Sequence, residues 1–158
     1  MRVAILTVSD SVSGGKYADR SGPEVAARCA LLGWEVASRS ALADDRTAIE
    51  DFLKQTADAK SVDLVLTTGG TGVGPRDVTP EATIAVCERM IPGFSEQMRA
   101  AGSTKTARAI LSRAVAGIRG TTIVINLPGS PKGAVESLEA VADLLPHAVA
   151  VLQGARHG

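Results

Sequence analysis

Apolar positions along the chain fall into short continuous runs separated by stretches with helical spacing. Val3 to Thr7 is an unbroken run closing on polar residues, as expected of a parallel strand buried on both faces. Ser21-Gly22-Pro23 marks a helix start with proline in the first turn, and Gly33 after Leu31-Leu32 marks its stop. Trp34 to Ser40 reads as a second strand. Asp44 or Asp45 caps the next helix, in which Ile49, Phe52 and Leu53 recur at helical spacing. Val62 to Thr67 is a third strand, and Thr79-Pro80-Glu81 opens a helix that runs to a break at Pro92-Gly93. A short helix over Phe94 to Ala101 follows. Ala114 to Ile118 and Thr121 to Leu127 flank Arg119-Gly120 as a hairpin at one sheet edge. Val135, Leu138, Val141 and Leu145 form a last helical pattern, interrupted at Pro146.

Alternating strands and helices predict an α/β fold, doubly wound on a mostly parallel sheet with an antiparallel edge hairpin. There is no internal repeat, long linker or low-complexity segment, and 158 residues fit one compact domain, 1–158. Ligands in such folds bind beyond the C-terminal ends of the strands, at a topological switch point. Three polar loops fall there: Ser9-Asp10-Ser11, Thr68 to Asp77, and Pro128 to Gly133.

Composition narrows the function classes. Lys plus Arg and Asp plus Glu are both 17, so the formal net charge is zero and no basic excess points to nucleic acid. Aromatics at 3% leave no stacking platform for single strands. Cys29 and Cys87 sit in apolar helical patterns without partners at ligand spacing, and read as buried free thiols. No signal-peptide pattern precedes the first strand and no apolar run reaches spanning length, so a cytoplasmic protein without a membrane partner is expected.

The densest chemical signal is TTGGTGVGPRDVTPEAT, Thr67 to Thr83, with Gly69, Gly70, Gly72 and Gly74 after a strand and Asp77 before a helix. It lacks the GxxxxGK[ST] of a P-loop, and GGTGVG lacks dinucleotide spacing. A turn alone needs fewer glycines, which favours backbone N–H contact with an anion. Asp77 is either a local cap or a carboxylate for a cation bridging to phosphate, and for Asp44 the bare sequence favours the cap. LPGSPKG, Leu127 to Gly133, is a rigid turn compatible with a binding loop. Asn126, ending an apolar strand, bonds either the neighbouring loop or a ligand. Ser9, Ser11 and Ser112-Arg113 are candidates to face a ligand, and isolated serines are more often turn residues. His147 and His157 read as structural or exposed, leaving triad and metal-hydrolase chemistry unsupported.

TTGGTGVGPRDVTPEAT, PGFSEQMR, LSRAVAGIRG and INLPGSPKGA, in that order, closely resemble the molybdopterin adenylyltransferase family of Mog/MoaB type, related to the gephyrin G domain. The resemblance runs from TVSDSVSGG at Thr7 to Leu145-Pro146-His147. It implies a three-layer α/β domain assembling as a homotrimer, and AMP transfer from ATP to the terminal phosphate of molybdopterin. The family's essential acids fall on Asp44 and Asp77, implied to hold Mg2+. Its ATP and molybdopterin positions fall on Thr68, Gly69, Gly70, Thr71, Gly72, Ser112, Asn126, Pro128, Gly129, Ser130, Pro131 and Lys132. Hand-over to a molybdenum-insertion enzyme is implied as well. The chain runs only a few residues past Leu152, similar to the shorter MoaB type, so a non-catalytic molybdopterin-binding paralogue is the alternative. A generic sugar- or nucleotide-phosphate binder would leave the ordered motifs unexplained.

Overall fold

The computed structural model describes residues 1–155; His157 lies outside them. Strand β1 (Arg2–Val8) leads through the single turn α1 (Asp10–Ser13) to helix α2 (Ser21–Leu31). Strand β2 (Glu35–Leu42), helix α3 (Arg46–Asp58) and strand β3 (Leu64–Thr68) follow. Helix α4 (Thr79–Val86), the two-residue strand β4 (Arg89–Met90) and helix α5 (Pro92–Ser103) come next. A 3-10 turn (Ala107–Leu111) precedes β5 (Ala116–Arg119) and β6 (Thr122–Leu127). Helix α6 (Pro131–Val141), a 3-10 turn (Ala142–Leu144) and α7 (Leu145–Leu152) complete the order.

The six strands lie in the order β2-β1-β3-β6-β5-β4. β1 pairs in parallel with β2 and β3, and β3 with β6, whereas β5 is antiparallel to β6 and β4. Alternation along each central strand sends its side chains to two separate cores. Val3 and Ile5 of β1 join Leu64, Leu66, Ile123 and Ile125 beneath α2, α5, α6 and α7. Ala4, Leu6 and Val8 join Val65 and Val124 beneath α3 and α4. Because both faces are covered, β1, β3 and β6 each carry a continuous apolar run (Val3 to Leu6, Leu64 to Leu66 and Ile123 to Ile125), and the fold is a three-layer α/β sandwich.

Three expectations need correction. α4 ends at Val86, well before Pro92: Cys87 is extended, the Glu88 N–H donates to Ile118 O (2.8 Å), and β4 pairs with β5. The Val86 carbonyl, left over at the helix end, accepts from Arg119 Nη1 at 2.9 Å. The expected antiparallel hairpin β5–β6 forms on that side of the sheet, with the two-residue β4 paired outside it. Pro92, in the first turn of α5, opens a helix rather than breaking one. Cys29 is buried on α2, but Cys87 lies half-buried just past α4 instead of within a helix. Burial pushes both thiols up to about 11. His147 is exposed on α7.

Candidate functional site

The parallel register aligns the ends of β1, β3 and β6, pairing Thr7 with Thr68 and Thr68 with Leu127. The chain winds outward from β1 to β2 and then crosses to β3, so the switch point lies beside β1. The loops following these strands converge there. Thr68 Oγ1 donates to Pro128 O (2.7 Å) and Gly69 N to Leu127 O (3.1 Å), joining the glycine loop to the LPGSPKG loop. Gly69 and Gly70 have φ of 98° and 71°, which L side chains rarely adopt. Side chains there would also be driven into Val8 O and Thr79 Oγ1, respectively. Buried Thr79 fixes the loop through Oγ1 to Gly69 O (3.0 Å) and N to Gly70 O (3.1 Å).

Two of the four glycines thus answer to backbone shape. Gly72 and Gly74 answer to Asp77, since a Cβ at either position would lie 2.9 Å from Asp77 Oδ2. Among the described residues, the N–H groups of Gly70, Thr71 and Gly72 make no hydrogen bond within the protein. The Gly69 N–H, by contrast, is already spent on Leu127, so its contribution is conformational.

Asp45, not Asp44, caps α3, accepting from Ala48 N at 3.0 Å. That frees Asp44, which is half-buried. Its Oδ2 accepts from Asp10 N (3.0 Å), and Asp10 Oδ1 accepts in turn from Asp44 N (3.0 Å). Burial raises the Asp44 carboxyl above its ordinary range, and the charges of Asp10 and Asp77 add to this. Asp77 Oδ2 accepts from Gly74 N at 2.9 Å. Asp44 Oδ1 and Asp77 Oδ1 accept no hydrogen bond from the described residues. Two carboxylates that share a cavity wall, each with one oxygen anchored and one uncommitted, suit a small divalent cation completed by phosphate and water. No larger His, Cys, Asp and Glu cluster among the described residues competes for that role.

Asp44, Thr68, Gly69, Gly70, Asp77, Gly129 and Pro131 line a cavity of about 380 Å3 that reaches Asp19 and Ser21 at the start of α2. A neighbouring cavity of about 660 Å3 is lined by Gly70, Thr71, Gly72, Asp77, Ser112, Asn126, Pro128, Gly129 and Ser130. Gly70, Asp77 and Gly129 belong to both. Asn126 is in the lining, yet its amide is already engaged. Nδ2 donates to Thr67 Oγ1 (3.0 Å) and Thr83 Oγ1 (2.9 Å), and Oδ1 accepts from Val115 N (3.2 Å). Ser130 Oγ caps α6 by accepting from Gly133 N at 3.1 Å. Lys132 is not brought in: its side chain is 88% exposed and approaches Glu136 at 4.0 Å.

The sequence reading placed Asp10 in a strand-end loop without giving it a role, missed Arg76 and understated Arg113. Arg76 Nε donates to Asp10 Oδ2 (2.7 Å), and its Nη2 to Asp10 Oδ1 (3.1 Å) and Asp44 O (3.2 Å). Arg113 ties down the glycine loop through N to Thr71 O (2.8 Å), Nε to Gly72 O (2.7 Å) and Nη2 to Asp77 O (2.8 Å), and also pairs with Glu81. The Ser-Asp pair ending the first strand run was a usable signal for Asp10. Nothing in the spacing marks the arginines, whose partners are distant in sequence.

Residues 4–147 match the family described as "Probable molybdopterin binding domain". The chain is 44% identical over 157 residues to a molybdopterin adenylyltransferase of Helicobacter pylori strain J99, covering 98% of this chain and 89% of that one. It is 42% identical over 146 residues to the molybdopterin adenylyltransferase of Escherichia coli K12, covering 90% and 74%. Among solved structures, the molybdopterin biosynthesis enzyme MoaB of Thermus thermophilus superposes with a TM-score of 0.92 at 48% identity, over 98% of this chain and 97% of that one. With four motifs in register, the site at the expected strand ends and the whole fold shared, the chain belongs to the molybdopterin adenylyltransferase family of Mog/MoaB type.

Proposed function

We propose that this protein works in molybdenum cofactor synthesis by adenylylating molybdopterin. The terminal phosphate of molybdopterin attacks the α-phosphorus of ATP; the new P–O bond forms as pyrophosphate leaves, and adenylyl-molybdopterin results. The observation that carries this reading is the pair of adjacent cavities meeting at Gly70, Asp77 and Gly129, which suits a reaction joining two substrates at one phosphorus. The relatives named molybdopterin adenylyltransferase support it.

Such a transfer needs positioning and charge neutralisation more than covalent catalysis. The free N–H groups of Gly70, Thr71 and Gly72 donate to phosphate oxygens and stabilise charge developing in the transition state. Asp44 and Asp77 hold Mg2+, which when bound supplies neutralisation of the triphosphate. Neither acid acts as a base, because the attacking phosphate is already an anion. Thr68, Gly69 and Asn126 shape the loops, while Ser112 and the Pro128-Gly129-Ser130-Pro131 turn bound the substrates, with Lys132 outside the cavities. Assembly as a homotrimer, hand-over to a molybdenum-insertion enzyme and a cytoplasmic setting complete the reading and rest on the family. No helix of the described residues is long and apolar enough to cross a membrane. Incubating the protein with molybdopterin, ATP and magnesium should give adenylyl-molybdopterin and pyrophosphate in equal amounts. Molybdopterin bound but unchanged would reduce the protein to a binding module.

A further inference from the structure

The two acids sit on different loops, and something must fix one against the other. Asp44 follows β2; Asp77 belongs to the β3–α4 loop. Between them lie Asp10, at the first position of α1, and Arg76, immediately before Asp77. Asp10 grips Asp44 at both ends, its N–H on the Asp44 carboxylate and its carboxylate on the Asp44 N–H, each at 3.0 Å. Arg76 then takes both oxygens of Asp10 and the carbonyl of Asp44. We propose that Arg76 and Asp10 form a clasp that sets Asp44 against Asp77, making both of them positioning residues for the divalent cation. This rests on the adenylyl-transfer reading of the same site.

Three features favour the clasp over an incidental ion pair. The guanidinium uses its planar fork on one carboxylate and spends a further N–H on Asp44, which a point charge cannot reproduce. Its bonds reach from the loop of one acid to that of the other, so the spacing between the acids depends on it. Asp44 Oδ2 is immobilised by Asp10 while Oδ1 stays uncommitted beside Gly70, as a ligand oxygen must. The side chains of Arg76 and Asp10 are 66% and 44% exposed, so the pair contributes little to folding. A defect in cation binding without loss of stability would therefore separate positioning from a structural role.

Calorimetric ATP binding to the full chain, with saturating Mn2+ and again with chelator, isolates the cation-dependent part of affinity. For Arg76→Gln and Asp10→Asn that part should fall by roughly 10- to 100-fold, as for other groups that orient metal ligands. The double variant should be no worse than either single one. Binding in chelator and thermal midpoints should stay at wild-type values. Arg28→Gln, which breaks a remote exposed pair with Glu139 (2.8 Å), should change neither. Arg76→Lys should recover only part of the loss. Full recovery would make Arg76 a general counter-charge and overturn the clasp, as would unchanged cation dependence in the single variants. Weaker binding in chelator for Arg76→Gln alone would make Arg76 a direct phosphate contact, again overturning it. If the wild type binds ATP with no cation dependence, the clasp falls too. If it makes no adenylyl-molybdopterin while the variants lose cation-dependent affinity, the transfer reading fails and the clasp stands.

Discussion

Each residue of the glycine loop has its own constraint. Gly69 is fixed by a φ of 98° and by the nearness of Val8 O, a backbone atom that cannot swing aside. Gly69→Ala should therefore destabilise the protein by about 1–3 kcal/mol from backbone strain alone, read as a lower midpoint in thermal denaturation; an unchanged midpoint would refute the constraint. Gly72 has no such φ, and its conflict would be with the Asp77 carboxylate. Gly72→Ala should thus leave stability nearly intact and weaken cation-dependent ATP binding. The sequence carried the glycines but not this division of labour. It also left Asp44 and Asp45 equivalent as caps; only the α3 geometry, with Asp45 on the Ala48 N–H, frees its neighbour.

At the scale of elements, α4 is the support of the loop. Thr79, at its start, bonds the carbonyls of Gly69 and Gly70, and Thr83 one turn later links the Thr79 carbonyl to the buried Asn126 amide of β6. Thr79→Val keeps the shape and removes the bond to Gly69 O, leaving a buried carbonyl unpaired at a cost of about 1–3 kcal/mol. Chemical denaturation should report that loss, and a variant as stable as wild type would show that the loop does not lean on α4. Strands with continuous apolar runs were legible because burial on both faces leaves no alternative pattern. The end of α4 was not. Apolar spacing continues through Ile84, Val86 and Ile91, and what stops the helix is pairing of Glu88 to Arg89-Met90 with β5, a long-range event. The loop-tying role of Arg113, which the sequence offered only as a residue that could face a ligand, was hidden for the same reason, since its acceptors at Thr71, Gly72 and Asp77 are remote in sequence.

For the whole molecule, the end of the sheet opposite the site is closed by one carboxylate. Asp63, just before β3, accepts from Arg2 N (2.8 Å) at the start of β1 and from Gln153 Nε2 (2.8 Å) beyond α7. Desolvation works to raise its carboxyl, but these hydrogen bonds and the charge of Arg2 outweigh it and hold the carboxyl below the usual range. A depressed acid stabilises the fold above its ordinary unfolded value, and that contribution is lost as pH falls through the lower folded value. Asp63→Asn should accordingly lower the thermal midpoint at neutral pH, and the gap to wild type should close in acid. A gap independent of pH would assign the effect to packing instead. The central claim concerns the other end of the sheet, and transfer of label from α-labelled ATP to molybdopterin tests it most directly. Wild-type protein should label the pterin in a magnesium-dependent reaction, while Asp44→Asn and Asp77→Asn should be slower by roughly a hundredfold or more with molybdopterin still bound. Labelling at the wild-type rate in either variant would contradict the assignment.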